Sequence, residues 1–151
     1  MALRFLSCVL LGAAAVFVLP MSGIAGGDSK KAVVDRVFGE MAAFSTADRA
    51  AFVASYVEDP TILDDVAPFA WSDAGRWYDA VRPLFRDVTM TPGPPGETLV
   101  DGRHAFVTVP FSINGHGAKG EAFKASGYWT GALVQVTNSW RIANAAITIT
   151  K

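Results

Sequence analysis

The chain carries one cysteine in 151 residues, at position 8, inside an apolar N-terminal run. The domain beyond that run therefore has no disulfide, and an apolar core must hold it together. Histidine is almost as scarce. His104 and His116 are the only two, and no HExxH is present. A metal site wants three or four ligands at suitable spacing. The expectation is no metal and no cofactor, with both histidines solvated. Basic charge is short as well. The chain has 13 Lys and Arg against 14 Asp and Glu, so no basic patch marks a nucleic-acid surface. No G-x-S-x-G elbow presents a serine nucleophile. No apolar run reaches the ~20 residues that a membrane-spanning helix needs.

One run approaches that length. Residues 1–4 form a short start whose charge is Arg4, residues 5–19 are apolar and uncharged, and Pro20 breaks the run. Gly23 and Ala25 supply small residues at the −3 and −1 positions of a cleavage site. The segment reads as a signal peptide over residues 1–25, cut after Ala25. The protein is then exported, periplasmic or secreted, with no membrane attachment after cleavage. Leu6-Ser7-Cys8 looks like the end of a lipobox, but such a cysteine follows the apolar run, and here most of the run follows Cys8. Residues 26–151 remain as a single domain. Without Arg4 it has 12 basic residues against 14 acidic ones.

The remaining pattern is helical first and extended later. Val34, Val37, Phe38, Met41 and Phe44 recur at helical spacing and predict one buried face. Lys30, Lys31, Asp35, Arg36 and Glu40 are expected mostly off that face. Ser45-Thr46-Ala47-Asp48 fits a capping box, so Ser45 is expected to open a second helix over residues 46–56. Asp59-Pro60 stops it, and residues 61–66 read as a short strand. Ser72 and Asp73 start a third helix with Trp77, Tyr78 and Val81 on its inner stripe, ended or kinked at Pro83.

Beyond it, residues 88–91 form a strand, and Asp101-Gly102 joins two arms of a hairpin. Residues 122–136 and 140–150 form long strands. The last one changes phase: Trp140 and Ile142 share one face, and Ile147 and Ile149 share the other. A one-residue bulge near residues 144–146 would restore a single buried face. Helices followed by long antiparallel strands give an α+β layout, with helices packed in the concave face of a bent sheet.

Gly115, Gly117 and Gly120 match G-x-G-x-x-G, but a dinucleotide site needs that loop to open a helix. Strand follows here, so no nucleotide site is expected. The aromatics Phe69, Trp71, Trp77 and Tyr78, with Ser126 and Tyr128 on a later strand, are candidates to line a ligand pocket. The sharpest candidate is Asp64. Side chains alternate along a strand, so Asp64 and Asp65 are expected on opposite faces, with at most one inward. A carboxylate in an apolar cavity has its pKa raised and can serve as a general base or acid.

These residues resemble a known family. Ile62-Leu63-Asp64-Asp65, then Pro68-Phe69-Ala70-Trp71, then a closing strand with Trp140-Arg141-Ile142, is similar to the NTF2-like superfamily in its SnoaL-like branch, also called cystatin-like α+β cones. The likeness is to small exported bacterial members of unknown function. The resemblance implies a conical cavity under a curved sheet. Ketosteroid isomerase, of the same superfamily, implies a base at Asp64. Its oxyanion donors would fall at about Val37 and near Ser126 or Gly127, where no such donor stands.

Three readings follow. The domain binds a small, largely apolar molecule in its cone. Alternatively it is a SnoaL-like lyase, isomerase or hydrolase with Asp64 as general base. In the third, it is an interaction module that forms a homodimer through its sheet face.

Overall fold

The computed structural model describes residues 26–150. The signal-peptide reading of residues 1–25, Cys8 included, lies outside the described residues.

The first helix, α1 (Gly26–Ser45), buries Val33, Val37, Met41 and Phe44. Glu40 shares that face. It lies three residues after Val37 and four before Phe44, the spacing that stacks side chains on one side of a helix. It is 2% exposed, so the expectation that it points away is corrected. Ser45 ends α1 instead of opening the next helix. Its hydroxyl donates to the Met41 carbonyl at 2.8 Å and accepts the Met90 N–H at 2.9 Å, which ties the helix end to the sheet.

Asp48 caps α2 (Arg49–Ala54), accepting from the Ala51 N–H. This helix is shorter than the sequence suggests, because Ser55 ends it and Tyr56 already opens β1 (Tyr56–Leu63). Pro60 lies within β1, where the pairing register jumps between Tyr56 and Thr61. The missing N–H is tolerated there because a bulge asks for no ladder bond.

The chain continues through β2 (Ala70–Trp71) and α3 (Ala74–Val81), the latter capped by Asp73. Pro83 stands in a 3₁₀ turn (Arg82–Leu84) directly after α3. Then come β3 (Phe85–Pro92), β4 (Leu99–Asp101), β5 (His104–Gly117), β6 (Ala122–Val136) and β7 (Ser139–Thr150). The sheet order is β2-β1-β7-β6-β5-β3, with β4 also pairing β5. Only β1 and β7 run parallel. This is the expected α+β architecture: N-terminal helices against a curved, unclosed, mostly antiparallel sheet. Gly115 and Gly117 belong to β5, and the chain turns directly into β6 with no helix. Among the described residues no helix is long and apolar enough to cross a membrane.

The phase change in β7 is a bulge at Ala143. Ala132 pairs with Asn144 and Leu133 with Ile142, leaving Ala143 as the extra residue, one position ahead of the expected window. Trp140 and Ile142 point into the core before it, and Ala145 and Ile147 after it. The Asn144 side chain fills the interrupted ladder, its Oδ1 accepting the Ala132 N–H at 2.9 Å. Gly131 lets the strands approach here, since a Cβ on it would meet the Asn144 carbonyl and the Trp129 ring. Asn144→Ala should therefore lower stability by about 1 kcal/mol, the usual worth of one net hydrogen bond. Urea unfolding of the two proteins reads that difference directly, and equal midpoints would show that the side-chain bond contributes nothing.

Candidate functional site

A cavity of about 160 Å³, open to solvent at one edge, lies between the helices and the concave sheet face. Phe44 of α1 and Trp77 and Val81 of α3 form one wall. Phe111, Ile113 and Trp129 of the central strands face them, with Ile147 and Ile149 brought inward by the Ala143 bulge. Three acidic residues, Glu40, Asp64 and Asp65, interrupt this apolar lining. No Lys, Arg or His is among the lining residues.

Asp64 and Asp65 both border the cavity, which corrects the expectation of opposite faces. β1 ends at Leu63, so the alternation of a strand stops before either carboxylate. Asp64 is half-buried, and Asp65 is exposed. Their loop is closed by the Asp64 N–H donating to the Phe69 carbonyl at 3.1 Å and the Phe69 N–H donating to the Val66 carbonyl at 2.8 Å. Phe69 adopts φ of +70° in this closure, an uncommon conformation for a bulky residue.

Trp77 Nε1 donates to Asp64 Oδ2 at 2.7 Å. The indole is fixed by stacking on Phe52, with ring centroids 5.3 Å apart and planes 11° apart, and by Phe44. Burial pushes the Asp64 carboxyl above its ordinary range. The Trp77 N–H and the backbone N–H groups of Asp65 and Val66 oppose that shift without cancelling it.

A second carboxyl, which the sequence reading missed, lies deeper. Glu40 accepts a hydrogen bond from the Tyr56 hydroxyl at 2.9 Å through Oε1. Burial raises its pKa from 4.5 to about 7, against the smaller opposing pull of the Tyr56 hydroxyl. Tyr56 is itself pushed well above the usual phenol range, first by burial, then by the Glu40 charge beside it, with a lesser contribution from Asp64. The nearby Trp129 N–H favours the ionised phenol, but that N–H is buried and makes no hydrogen bond to a described residue. The signal for Glu40 was its spacing: it is the polar member of an otherwise apolar stripe.

The other candidates separate from this group. Trp77 lines the cavity with Asp64, but Phe69, Trp71, Tyr78, Ser126 and Tyr128 do not. Phe69 is 61% exposed at the tip of its loop. Trp71 pairs with Ile62 at the sheet edge and packs half-buried against the core. Tyr78 is buried on the far side of Phe44 and Phe52, next to a groove with Asp79 and Arg82. Ser126 and Tyr128 are on the opposite face of β6 from Trp129, exposed over a separate groove with Pro92 and Pro110. His104 is exposed, and His116 pairs with Asp87 at 2.9 Å on the surface. Among the described residues no group of three His, Cys, Asp or Glu is placed to hold a metal ion.

No family model matches the chain, and no curated protein matches it. Solved structures do. An NTF2-like superfamily protein from Salmonella enterica aligns with TM-score 0.74 at 12% identity, over 84% of this chain and 94% of that one. The fold is NTF2-like. A ketosteroid isomerase-like protein from Erwinia carotovora atroseptica shares it at TM-score 0.71 and 18% identity, over 82% and 98% of the two chains. So does the hexachlorocyclohexane dehydrochlorinase LinA-type3 from Novosphingobium barchaimii, at TM-score 0.75 and 8% identity, over 83% and 89%. Identities this low carry the NTF2-like fold and not an activity. Within this NTF2-like cone Val37 is fully buried and offers no donor, but Glu40, one turn further along α1, puts a polar group into the cavity.

The buried acid predicts a pH dependence of stability. Folded Glu40 keeps its proton to about pH 7, and an unfolded glutamate keeps it only to about 4.5. Between these values the folded chain holds more protons, so its contribution is full below 4.5, falls as pH rises and is lost above 7. Its size is at most about 3 kcal/mol. Glu40→Gln should flatten that decline in urea midpoints measured across the window. An unchanged slope in the variant would show that Glu40 is not the titrating group.

Proposed function

We propose that the protein is an exported domain that holds a small, largely apolar molecule in its cone. The carrying observation is the cavity: largely apolar, walled by helices on one side and sheet on the other, and furnished with few polar groups. Concave apolar sites with a small number of placed polar atoms are the usual form of small-molecule sites. At about 160 Å³ the space suits a single substituted ring; an apolar protein cavity of roughly 150 Å³ accommodates benzene. Export rests on the basic start, apolar run and small residues around position 25.

A second reading is supported by Asp64. A half-buried carboxylate with a raised pKa, held by an indole N–H at the edge of an apolar cavity, suits a general base. The fold neighbours include a dehydrochlorinase and a ketosteroid isomerase-like protein by name. Loss of HCl requires a group that takes up a proton, and Asp64 is suited to that step in this chain. The reaction class would then be lyase or isomerase.

The indole N–H signals of Trp77 and Trp129 report both readings. Titration with toluene should move both resonances saturably, and Ile147→Phe, which fills part of the cavity, should abolish the effect while circular dichroism stays unchanged. Absence of saturable shifts with toluene and other single-ring compounds would remove the binding reading. For any substrate the cavity turns over, Asp64→Asn should lower kcat by about 10²-fold or more; retained turnover would remove the base.

A further inference from the structure

The charge inventory of the cavity is one-sided. Glu40, Asp64 and Asp65 line it, and no basic side chain does. Glu40 is the telling member. It is 2% exposed, and the hydrogen bond it makes to a described side chain is through Oε1, while the carboxyl lines the cavity. A buried carboxylate is ordinarily paired or coordinated, because its desolvation is otherwise uncompensated.

Two arginines belong to neighbouring stretches of the fold, and neither pairs with Glu40. Arg36 precedes Glu40 by one helical turn, the spacing of an ion pair, yet forms no salt bridge with it. Arg36 instead borders an outer groove with Ser139 and Trp140, and its Nε has no partner. Arg82 lies over the Phe44 ring at 5.6 Å, but its guanidinium donates to the Phe44 and Phe85 carbonyls and does not line the cavity. Tyr56 gives Glu40 a neutral donor only.

We infer that the ligand of this cavity is a small apolar amine, bound as its ammonium ion, which supplies the counter-charge that Glu40 and Asp64 lack. This rests on the reading of the cavity as a small-molecule site and specifies what enters it. Five aromatic side chains line the same space. Their ring faces attract a cation and still accept the apolar body that carries it. With a neutral ligand Glu40 keeps its proton and stays uncharged, whereas an ammonium ion beside it lets it ionise; an anion would meet the Asp64 and Asp65 carboxylates and hold Glu40 protonated. A bare metal ion is a poorer fit, since the carboxyls do not form a three-ligand cluster among the described residues. Asp65, exposed at the edge of the cavity, adds an attraction for cations approaching from solvent.

The test compares three compounds of nearly equal size and different charge: benzylamine, benzyl alcohol and benzoate. Each is titrated into the purified protein near neutral pH, with the indole N–H resonances of Trp77 and Trp129 as cavity reporters and those of Trp71 and Trp140 as controls. Benzylamine should bind about tenfold or more tightly than benzyl alcohol, the scale of one charge-assisted contact, and benzoate should not bind. Glu40→Gln and, independently, Asp64→Asn should each reduce the amine's preference over the alcohol to about threefold or less, so either variant suffices if the other fails to fold. Benzyl alcohol binding as tightly as benzylamine would overturn the charge inference and leave the apolar-ligand reading standing. An amine preference that survives both substitutions would also overturn it. Failure of all three compounds and of toluene to move Trp77 or Trp129 would overturn both.

Discussion

The hydrogen bond between Tyr56 and Glu40 constrains this structure more than any other contact. It joins the middle of α1 to the first residue of β1, and it holds a nearly buried carboxyl at the wall of the cavity. For the bond to form, α1 must lie across the concave face of the sheet with its Val37–Met41–Phe44 stripe inward, and Tyr56 must leave the α2 helix and begin a strand. The early end of α2 at Ser55 serves that requirement. Aromatic packing then follows outward from Tyr56 through Phe52 and Trp77 to Phe44, and the Trp77 indole in that cluster reaches Asp64. The two polar ends of the cavity are thus linked through one run of packed rings.

Much of this was legible in the residues. The α1 face, the Asp73 cap, the Asp-Gly hairpin and a phase change in β7 all have local causes, and local spacing exposes them. Asp64 was legible for the same reason, since it ends an apolar strand before a turn. Glu40 is hidden by its residue type: a glutamate on a helix is usually solvated, although the 33, 37, 40, 44 spacing puts this one inside. The aromatics failed differently. Phe69 and Trp71 adjoin Asp64 in sequence, but the loop that closes between Asp64 and Phe69 carries their side chains away from the cavity. Ser126 and Tyr128 share parity with each other and not with Trp129, and no local rule says which parity faces the helices.

The bulge at Ala143 shows how the fold makes room for the site. Without the extra residue, the side chains that follow Ile142 inward would be Asn144, Ala146 and Thr148. That run is smaller and more polar than Ala145, Ile147 and Ile149. The bulge is therefore the condition for an apolar far wall. Asn144 limits its cost by repairing the ladder with its own amide oxygen. A device that lies in the sheet, away from either carboxyl, thereby sets the character of the cavity.

The presence of Glu40 is the harder fact to explain by stability alone. A buried carboxyl with one neutral partner is dearer than a leucine or methionine of similar volume, and even well-paired buried charges are often replaceable by apolar residues at no loss. Specificity of helix docking does not require a carboxyl either, because a glutamine could receive the Tyr56 hydroxyl through its carbonyl oxygen. What a glutamine cannot do is carry charge or exchange a proton. The groups that separate glutamate from its stable substitutes are the ones directed at the cavity, and that is the argument for looking there for what the protein does.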